Sequence, residues 1–266
     1  MYSLFLAAVL GVIQGVTEFL PVSSTAHLLI SERVLGFQDA GGVFTVMIQL
    51  GSILAVMWLY REKIIDVLSG LGSRPDAREF AFKVILASVP ALVAGGLLSK
   101  FVKAHLYGRN FIVIAVAFIV GGVIMLLVEW RRPRPDVLDV DGLPAGRALA
   151  IGSFQALALV PGVSRSGGTI VAGMALGVDR PAAAEFTFFL AMPTMMAAFG
   201  HDFLEVRHNL ASAQGAQIAV GFLMAFLSSL LVVKPFLNYV RRGGFAPFAW
   251  YRIVLGGVIL AAIAVR

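Results

Sequence analysis

The sequence predicts an all-α polytopic membrane protein with two inverted-topology repeats, each a re-entrant helix pair plus three transmembrane helices. That makes six full spans and four re-entrant helices in all. Three observations predict it. The chain of 266 residues is 59% hydrophobic and only 14% charged, with a mean hydropathy of +0.90, whereas soluble domains carry about 25% charged residues. Its apolar residues come in blocks close to the ~20 needed to cross a hydrocarbon core of ~30 Å. Two of the apolar regions are broken in the middle, at related places. An ordinary soluble enzyme, a disordered chain and a coiled coil are excluded.

The first element is the apolar region 2–35, interrupted at Pro21-Val22-Ser23-Ser24-Thr25-Ala26-His27. Proline lacks an N–H and clashes with the turn before it, so a helix ends there and a second, short one follows. Three full spans come next, at roughly 40–60, 80–100 and 110–130. The region 147–178 repeats the opening layout, broken at Pro161-Gly162-Val163-Ser164-Arg165-Ser166-Gly167-Gly168-Thr169, and spans at roughly 182–200, 215–235 and 247–265 complete the chain. Gly11-Val12-Ile13-Gln14 pairs with Gly152-Ser153-Phe154-Gln155, and Pro21 with Pro161. Three spans per copy is an odd number, so the second copy is expected upside down relative to the first. The reading is a single membrane domain over 1–266, with repeat one at 1–130, repeat two at 147–266 and a linker at 131–146.

Loop charges orient the spans. The formal net charge is +6, but the Lys and Arg residues lie between apolar blocks and are read as topology determinants. If 61–79 faces the cytoplasm, thirteen basic residues, from Arg61, Lys63, Arg74, Arg78 and Lys83 to Arg241 and Arg242, fall on that side. Six (Arg33, Lys100, Lys103, Arg109, Arg207 and Arg266) fall on the other. Both termini and the first break then face outward, and the second break enters from the cytoplasm. No basic run is interleaved with aromatics, so no nucleic-acid partner is expected. The absence of cysteine excludes disulfides and thiolate metal sites. No basic region precedes the first apolar stretch, and the N-terminal segment is expected to be retained. Trp58, Trp130, Trp250, Tyr60 and Tyr251 sit near span ends, as an interfacial aromatic belt would. His105, His201 and His208 show no ligand spacing. Gly11-xxx-Gly15 and Gly173-xxx-Gly177 read as helix contacts.

The breaks carry the chemistry. Non-helical backbone at membrane depth must be buried in protein or line a wet cavity, and ionisable residues there are costly. The first break brings Glu18 and His27, the second Arg165. Around them lie Gln14, Thr17, Ser23, Ser24, Thr25, Ser164, Ser166 and Thr169. Such a lining suits a phosphate. Arg offers a fork matched to phosphate oxygens, and the helices after Pro21 and Pro161 can point N-terminal N–H groups at an anion. Gly162, Gly167 and Gly168 would let backbone approach it closely. Plainer roles stand beside these. Glu18 and Arg165 could form a structural ion pair, His27 could satisfy a carbonyl, and the hydroxyls could pack or bond back to their own helices. Glu185 and Thr187, in the fourth span, could face the cavity or the helix start.

Residues 14–27, Gln14-Gly15-Val16-Thr17-Glu18-Phe19-Leu20-Pro21-Val22-Ser23-Ser24-Thr25-Ala26-His27, resemble the first signature of the bacterial undecaprenyl-pyrophosphate phosphatase (bacitracin-resistance) family. Residues 161–169 resemble its second. The resemblance spans nearly the whole chain. It implies an inner-membrane enzyme that hydrolyses undecaprenyl pyrophosphate to the monophosphate carrier of cell-wall synthesis, with the site opening to the periplasmic side. By the same resemblance Glu18, His27, Ser24 and Arg165 are catalytic, and Ser23, Thr25, Ser164, Ser166, Gly168 and Thr169 bind substrate. Glu18 and Gln14 would hold a divalent cation, Mg²⁺ or Ca²⁺. Gln14 stands where the family has Glu or Gln, and Ala26 where it commonly has Gly. The nucleophile, Ser24, His27 or water, stays open. Expected partners are the lipid pyrophosphate and membrane lipid, with a homodimer as the assembly to test. The rival reading is a secondary transporter or flippase for an anionic substrate, since inverted repeats and broken helices are its usual anatomy too.

Overall fold

A computed structural model describes residues 2–39, 42–106, 111–207 and 215–265. Arg109, His208 and Arg266 lie outside the described residues, as do the side chains of Lys100 and Lys103. The elements in order are α1 (Tyr2–Phe19), α2 (Ser24–Leu35), α3 (Val43–Leu59), α4 (Arg61–Gly70), α5 (Pro75–His105) and α6 (Phe111–Arg131). They continue with α7 (Ala145–Gln155), a 3₁₀ turn (Ala156–Leu159), α8 (Arg165–Ala175), α9 (Arg180–Val206), α10 (Gly215–Gly243) and α11 (Ala246–Ala264). Both breaks fall where proline demands them, at 20–23 and 160–164.

Five expected spans, those near 80–100, 110–130, 182–200, 215–235 and 247–265, coincide with helices long and apolar enough to cross a membrane. Two differ from expectation. The span near 40–60 is the 17-residue α3, which passes that test only together with α4, bent from it by 71°. The break at Tyr60 is followed by charged residues that end the apolar run. Conversely α1, expected as half of a re-entrant pair, has 18 residues and meets the span criteria by length and composition. By contrast α2, α7 and α8 have 12, 11 and 11 residues; at ~1.5 Å per residue none reaches across ~30 Å of hydrocarbon. The chain is a multi-pass helical membrane protein.

The helices form two compact units. Unit 1 comprises 1–19, 24–78 and 191–235. Its core gathers Ala7 and Leu10 of α1, Leu28 of α2, Phe44 and Ile48 of α3 and Ala225 of α10. The expected small-residue stripe of α1 works as a helix contact. A methyl at Gly11 would land on the Gly221 carbonyl, and one at Gly15 on Ala225 and Ser228. Ser229 Oγ donates to the Gly15 carbonyl at 3.1 Å across the same seam. Both oxygens of Asp39 accept from the first backbone N–H groups of α3, at Phe44 and Thr45, which satisfies donors that a helix start leaves open.

Unit 2 comprises 20–23, 79–190 and 236–266. Its spine is the pairing of α6 with α11, where Gly122 faces the Ala249 carbonyl and Gly256 faces Ala115. Helices α7 and α8 pack side by side, and Gly152 of α7 lies directly on the Ala87 backbone of α5. The linker 131–146 is fastened rather than free. Asp136 and Val137 donate to the Gly177 carbonyl at 3.0 and 3.3 Å, and Asp179 N–H donates back to Val137 at 2.8 Å. Arg147 grips both oxygens of Asp136, at 2.6 and 2.8 Å. Gly177, at φ +81, lies just past the end of α8. It is a left-handed cap there, which corrects its reading as a helix-contact glycine. Lys83, counted above as a loop charge, is 4% exposed. Its ammonium pairs with Glu79 at 2.6 Å and donates to the Asp141 carbonyl at 2.9 Å, tying α5 to the linker. At helix ends, Trp58 and Trp130 are exposed and lie against Arg61 and Arg131, as interfacial anchors do.

Candidate active site

The first signature is built from α1 outward. Gln14 and Glu18 are four residues apart, so they share one helix face, and both are buried. Gln14 Nε2 donates to Glu18 Oε2 at 2.8 Å. Past the break, Ser24 opens α2 and its Oγ donates to the same Glu18 Oε2 at 2.6 Å. A short hydroxyl–carboxylate contact of this kind is charge-assisted. It also has the geometry in which a base can take a proton from a nucleophile. Thr25 and His27 are half-buried in the first turn of α2. Thr17 turns its hydroxyl onto the Ile13 carbonyl at 2.6 Å, so its oxygen serves its own helix.

The second signature is built by a helix cap. Ser164 precedes α8 in an extended conformation and its Oγ accepts from Gly167 N–H at 3.0 Å, as an N-cap serine does. Arg165 is therefore the first residue of α8 and is half-buried. Ser166 Oγ contacts Ser164 Oγ at 3.0 Å and donates to the Leu20 carbonyl at 2.7 Å. This places the turn at 20–23 directly against the second signature, within unit 2. Thr169 Oγ1 donates to the Arg165 carbonyl at 2.9 Å and accepts from Thr187 Oγ1 at 2.8 Å. Thr187 of α9 thus supports α8 from behind. Ser23 is buried and adopts φ +70, the one left-handed non-glycine among the described residues. Such a backbone costs roughly 1–2 kcal/mol for an L-residue and persists only where surroundings hold it.

Three glycines are expected from the sequence to allow close approach of a ligand. Gly162 has φ +91, and a methyl there would stand 2.8 Å from the Ile114 carbonyl of α6. That helix contact and the left-handed backbone account for it. A methyl at Gly167 would sit 3.1 Å from Ser164 Cβ, whereas Gly168 has ordinary room for one.

The oxygen-only donor set of Gln14, Glu18 and Ser24 fits a hard divalent cation. Glu18 is its one charged member, and Gln14 Oε1 remains as a ligand atom because Nε2 is the atom turned to Glu18. Elsewhere in unit 1, His201, Asp202 and Glu205 hold their ligand atoms within 4.8 Å of one another. That corrects the reading of His201 as lacking ligand spacing. The group pairs internally, His201 with Asp202 at 3.3 Å and with Glu205 at 3.9 Å, on an exposed helix end.

One residue of the site was missed from sequence. Arg252 of α11 is 2% exposed, and its guanidinium bonds to the carbonyls of Pro21, Ala117 and Gly162 at 3.2, 3.0 and 3.1 Å. The signal was available, since a lone charge in an apolar span is a candidate functional residue by default.

Together these features define a polytopic helical membrane protein with oxygen-rich polar groups at each of two helix breaks. The chain belongs to the family of the bacitracin resistance protein BacA, whose family model matches residues 7–258. Its relatives include an undecaprenyl-diphosphatase of Cereibacter sphaeroides, 48% identical over 97% of this chain and 96% of the relative. Undecaprenyl-diphosphatase 1 of Agrobacterium fabrum is 46% identical over 99% and 98%. An undecaprenyl-diphosphatase of a Caulobacter species is 46% identical over 97% of each chain.

Proposed function

We propose that this chain is an integral membrane phosphatase that hydrolyses undecaprenyl diphosphate to undecaprenyl phosphate and inorganic phosphate, the activity for which its relatives are named. The observation that carries the reading is the Ser24 hydroxyl donating at 2.6 Å to the buried Glu18 carboxylate, with Gln14 fixing the same oxygen.

In this reading Ser24 Oγ attacks the terminal phosphorus while its proton passes to Glu18. The P–O bond to the lipid phosphate breaks and the lipid monophosphate departs. Water then attacks the phosphoserine and gives its proton to His27, which has protonated the departing lipid phosphate, while Glu18 returns its proton to Ser24 Oγ, so that inorganic phosphate and free Ser24 are restored. Arg165 meets the charge of the diphosphate, since its planar fork suits phosphate oxygens. The Ser23, Thr25, Ser164 and Ser166 hydroxyls and the backbone around Gly168 and Thr169 complete the head-group environment. His27 supplies a proton to the leaving lipid phosphate. A divalent cation held by Glu18 and Gln14 would supply charge neutralisation, the main electrostatic task in phosphoryl transfer. The prenyl chain stays among helices in lipid, so only the head group meets polar residues.

The short α2, α7 and α8 support a re-entrant arrangement, because helices of 11 or 12 residues cannot cross alone. The excess of basic residues in the loops at 61–79 and 131–147 supports cytoplasmic placement of those loops. The first signature then opens to the periplasmic side of the inner membrane. Release of undecaprenyl phosphate recycles the carrier of cell-wall synthesis and underlies bacitracin resistance. A homodimer is a separate proposal, tested by the oligomeric state in native lipid. A transporter accounts for broken helices but needs no nucleophile paired with a base.

The test is phosphate release from undecaprenyl diphosphate by purified protein, with and without Mg²⁺ or Ca²⁺. Glu18→Gln and Ser24→Ala should each lower turnover by ~10²–10⁴-fold, the range for losing acid–base or nucleophilic assistance. Arg165→Ala should abolish detectable turnover. Wild-type rates in all three, in protein that still elutes as a folded species, would overturn the assignment.

A further inference from the structure

Helix α11 carries one charged residue, Arg252, which stands outside both signatures. Its side chain is almost wholly buried. Two of its three acceptors are the turn carbonyls of the two breaks: Nη1 donates to Pro21 and Nη2 to Gly162. Each of these carbonyls stands two residues ahead of a signature serine, Ser23 and Ser164 respectively. The third acceptor, Ala117, lies within α6, so the guanidinium is anchored to a packed span. The Phe118 ring lies 5.5 Å from the guanidinium carbon. Gly121 and Gly167 leave the room it occupies, since a methyl at Gly121 would collide with Nη2 and one at Gly167 would come within 3.2 Å of Nη1.

We propose that Arg252 is a positioning residue that clasps the two signature turns into one rigid element and so holds their donors in the array a diphosphate requires. This rests on the diphosphatase reading and adds to it a residue outside both signatures. The physical reason is specific. The Pro21 and Gly162 carbonyls lie in non-helical turns, and lipid supplies no donor for such carbonyls. A planar cation with five donors in a fixed fork suits carbonyls from three segments at once. Ser166 adds the direct tie to Leu20, and Arg252 joins both turns to a span. Loosening the clasp lets the turns move by tenths of an ångström to about 1 Å, and misplacement of that size costs up to ~10²-fold in rate.

The experiment compares Arg252→Met, Arg252→Gln and Arg252→Lys with Gly256→Ala. The last crowds the same α6–α11 seam at Ala115 without touching either turn. Thermal stability and steady-state kinetics on undecaprenyl diphosphate are read for each. The expected result is a 10–100-fold fall in kcat per folded molecule for Arg252→Met, partial recovery in Arg252→Lys, and an unchanged kcat for Gly256→Ala at whatever stability it retains. Wild-type kcat in the Arg252 variants, or losses that track stability as in Gly256→Ala, would overturn the proposal.

A second readout needs no activity. In this cysteine-free chain, Leu20→Cys with Ser166→Cys should be joined by a short bifunctional thiol reagent. The yield should drop several-fold when Arg252→Met is added; an unchanged yield would again overturn the clasp. An inactive wild-type protein whose cross-linking still depends on Arg252 would sink the diphosphatase reading and leave the clasp standing.

Discussion

The seam between α1 and α10 sets where Glu18 stands, and a single methyl tests this. Gly15→Ala places a Cβ 2.9 Å from the Ser229 nitrogen and closer still to the Ala225 carbonyl and Ser228 hydroxyl. Two of these atoms are backbone and cannot swing away, so α1 must retreat by about 1 Å, the adjustment that over-packing typically forces at a cost of ~1–3 kcal/mol. Gly15 lies one residue after Gln14 and three before Glu18, so the shift carries both away from Ser24, whose 2.6 Å contact has no slack. We expect melting in detergent micelles to fall by several degrees and turnover to fall about 10–100-fold. The control is Gly95→Ala in α5, where a methyl meets nothing within 4 Å and helix propensity improves by up to ~1 kcal/mol. Melting is followed by tryptophan fluorescence and turnover by phosphate release. If Gly15→Ala melts and turns over like Gly95→Ala, the account of the seam is wrong.

Three further outcomes follow from local geometry. Gly162→Ala loses a left-handed backbone and crowds Ile114, so it should destabilise by roughly 2–4 kcal/mol and raise KM for the diphosphate, read by unfolding and steady-state kinetics. The Arg147 guanidinium holds the Asp136 carboxyl below its usual range. A depressed carboxylate contributes stability in full above its unfolded pKa of about 4, and that contribution is lost as pH falls through the folded value. The melting advantage of wild type over Asp136→Asn should therefore be level between about pH 6 and 7 and fade below about pH 4. Lys83→Ala leaves the Asp141 carbonyl without its buried donor and should cost ~1–3 kcal/mol, with faster protease cleavage in the linker and unchanged kcat.

Much of this arrangement could be read before any coordinates. The breaks were legible because proline forbids the helix locally, and the Gln14–Glu18 contact because four residues make one helical turn. The pairing of Ser24 with Glu18 was legible only as proximity across a break. Which oxygen accepts, and at what distance, needed the fold. Arg252 escaped because hydropathy reads a span as a unit, and one arginine in nineteen residues barely lowers its average. The structural partners of Ser166 and Thr169 were not legible, because side-chain type does not reveal a partner 146 residues earlier or a helix packed behind. Helix α1 looked too interrupted to cross, yet its polar face is turned inward, so length and composition alone let it pass.

The left-handed Ser23 bears on the order in which the chain matures. An unconstrained serine seldom visits that backbone conformation, and the contacts that hold the turn come from far downstream. Ser166 follows its acceptor by 146 positions and Arg252 follows its own by 231. A ribosome that has released the first signature has therefore not yet made what shapes it. The earliest polar turn to emerge is among the last to set, and a nascent polypeptide stopped short of α11 carries an unfinished turn however well its first helices have inserted.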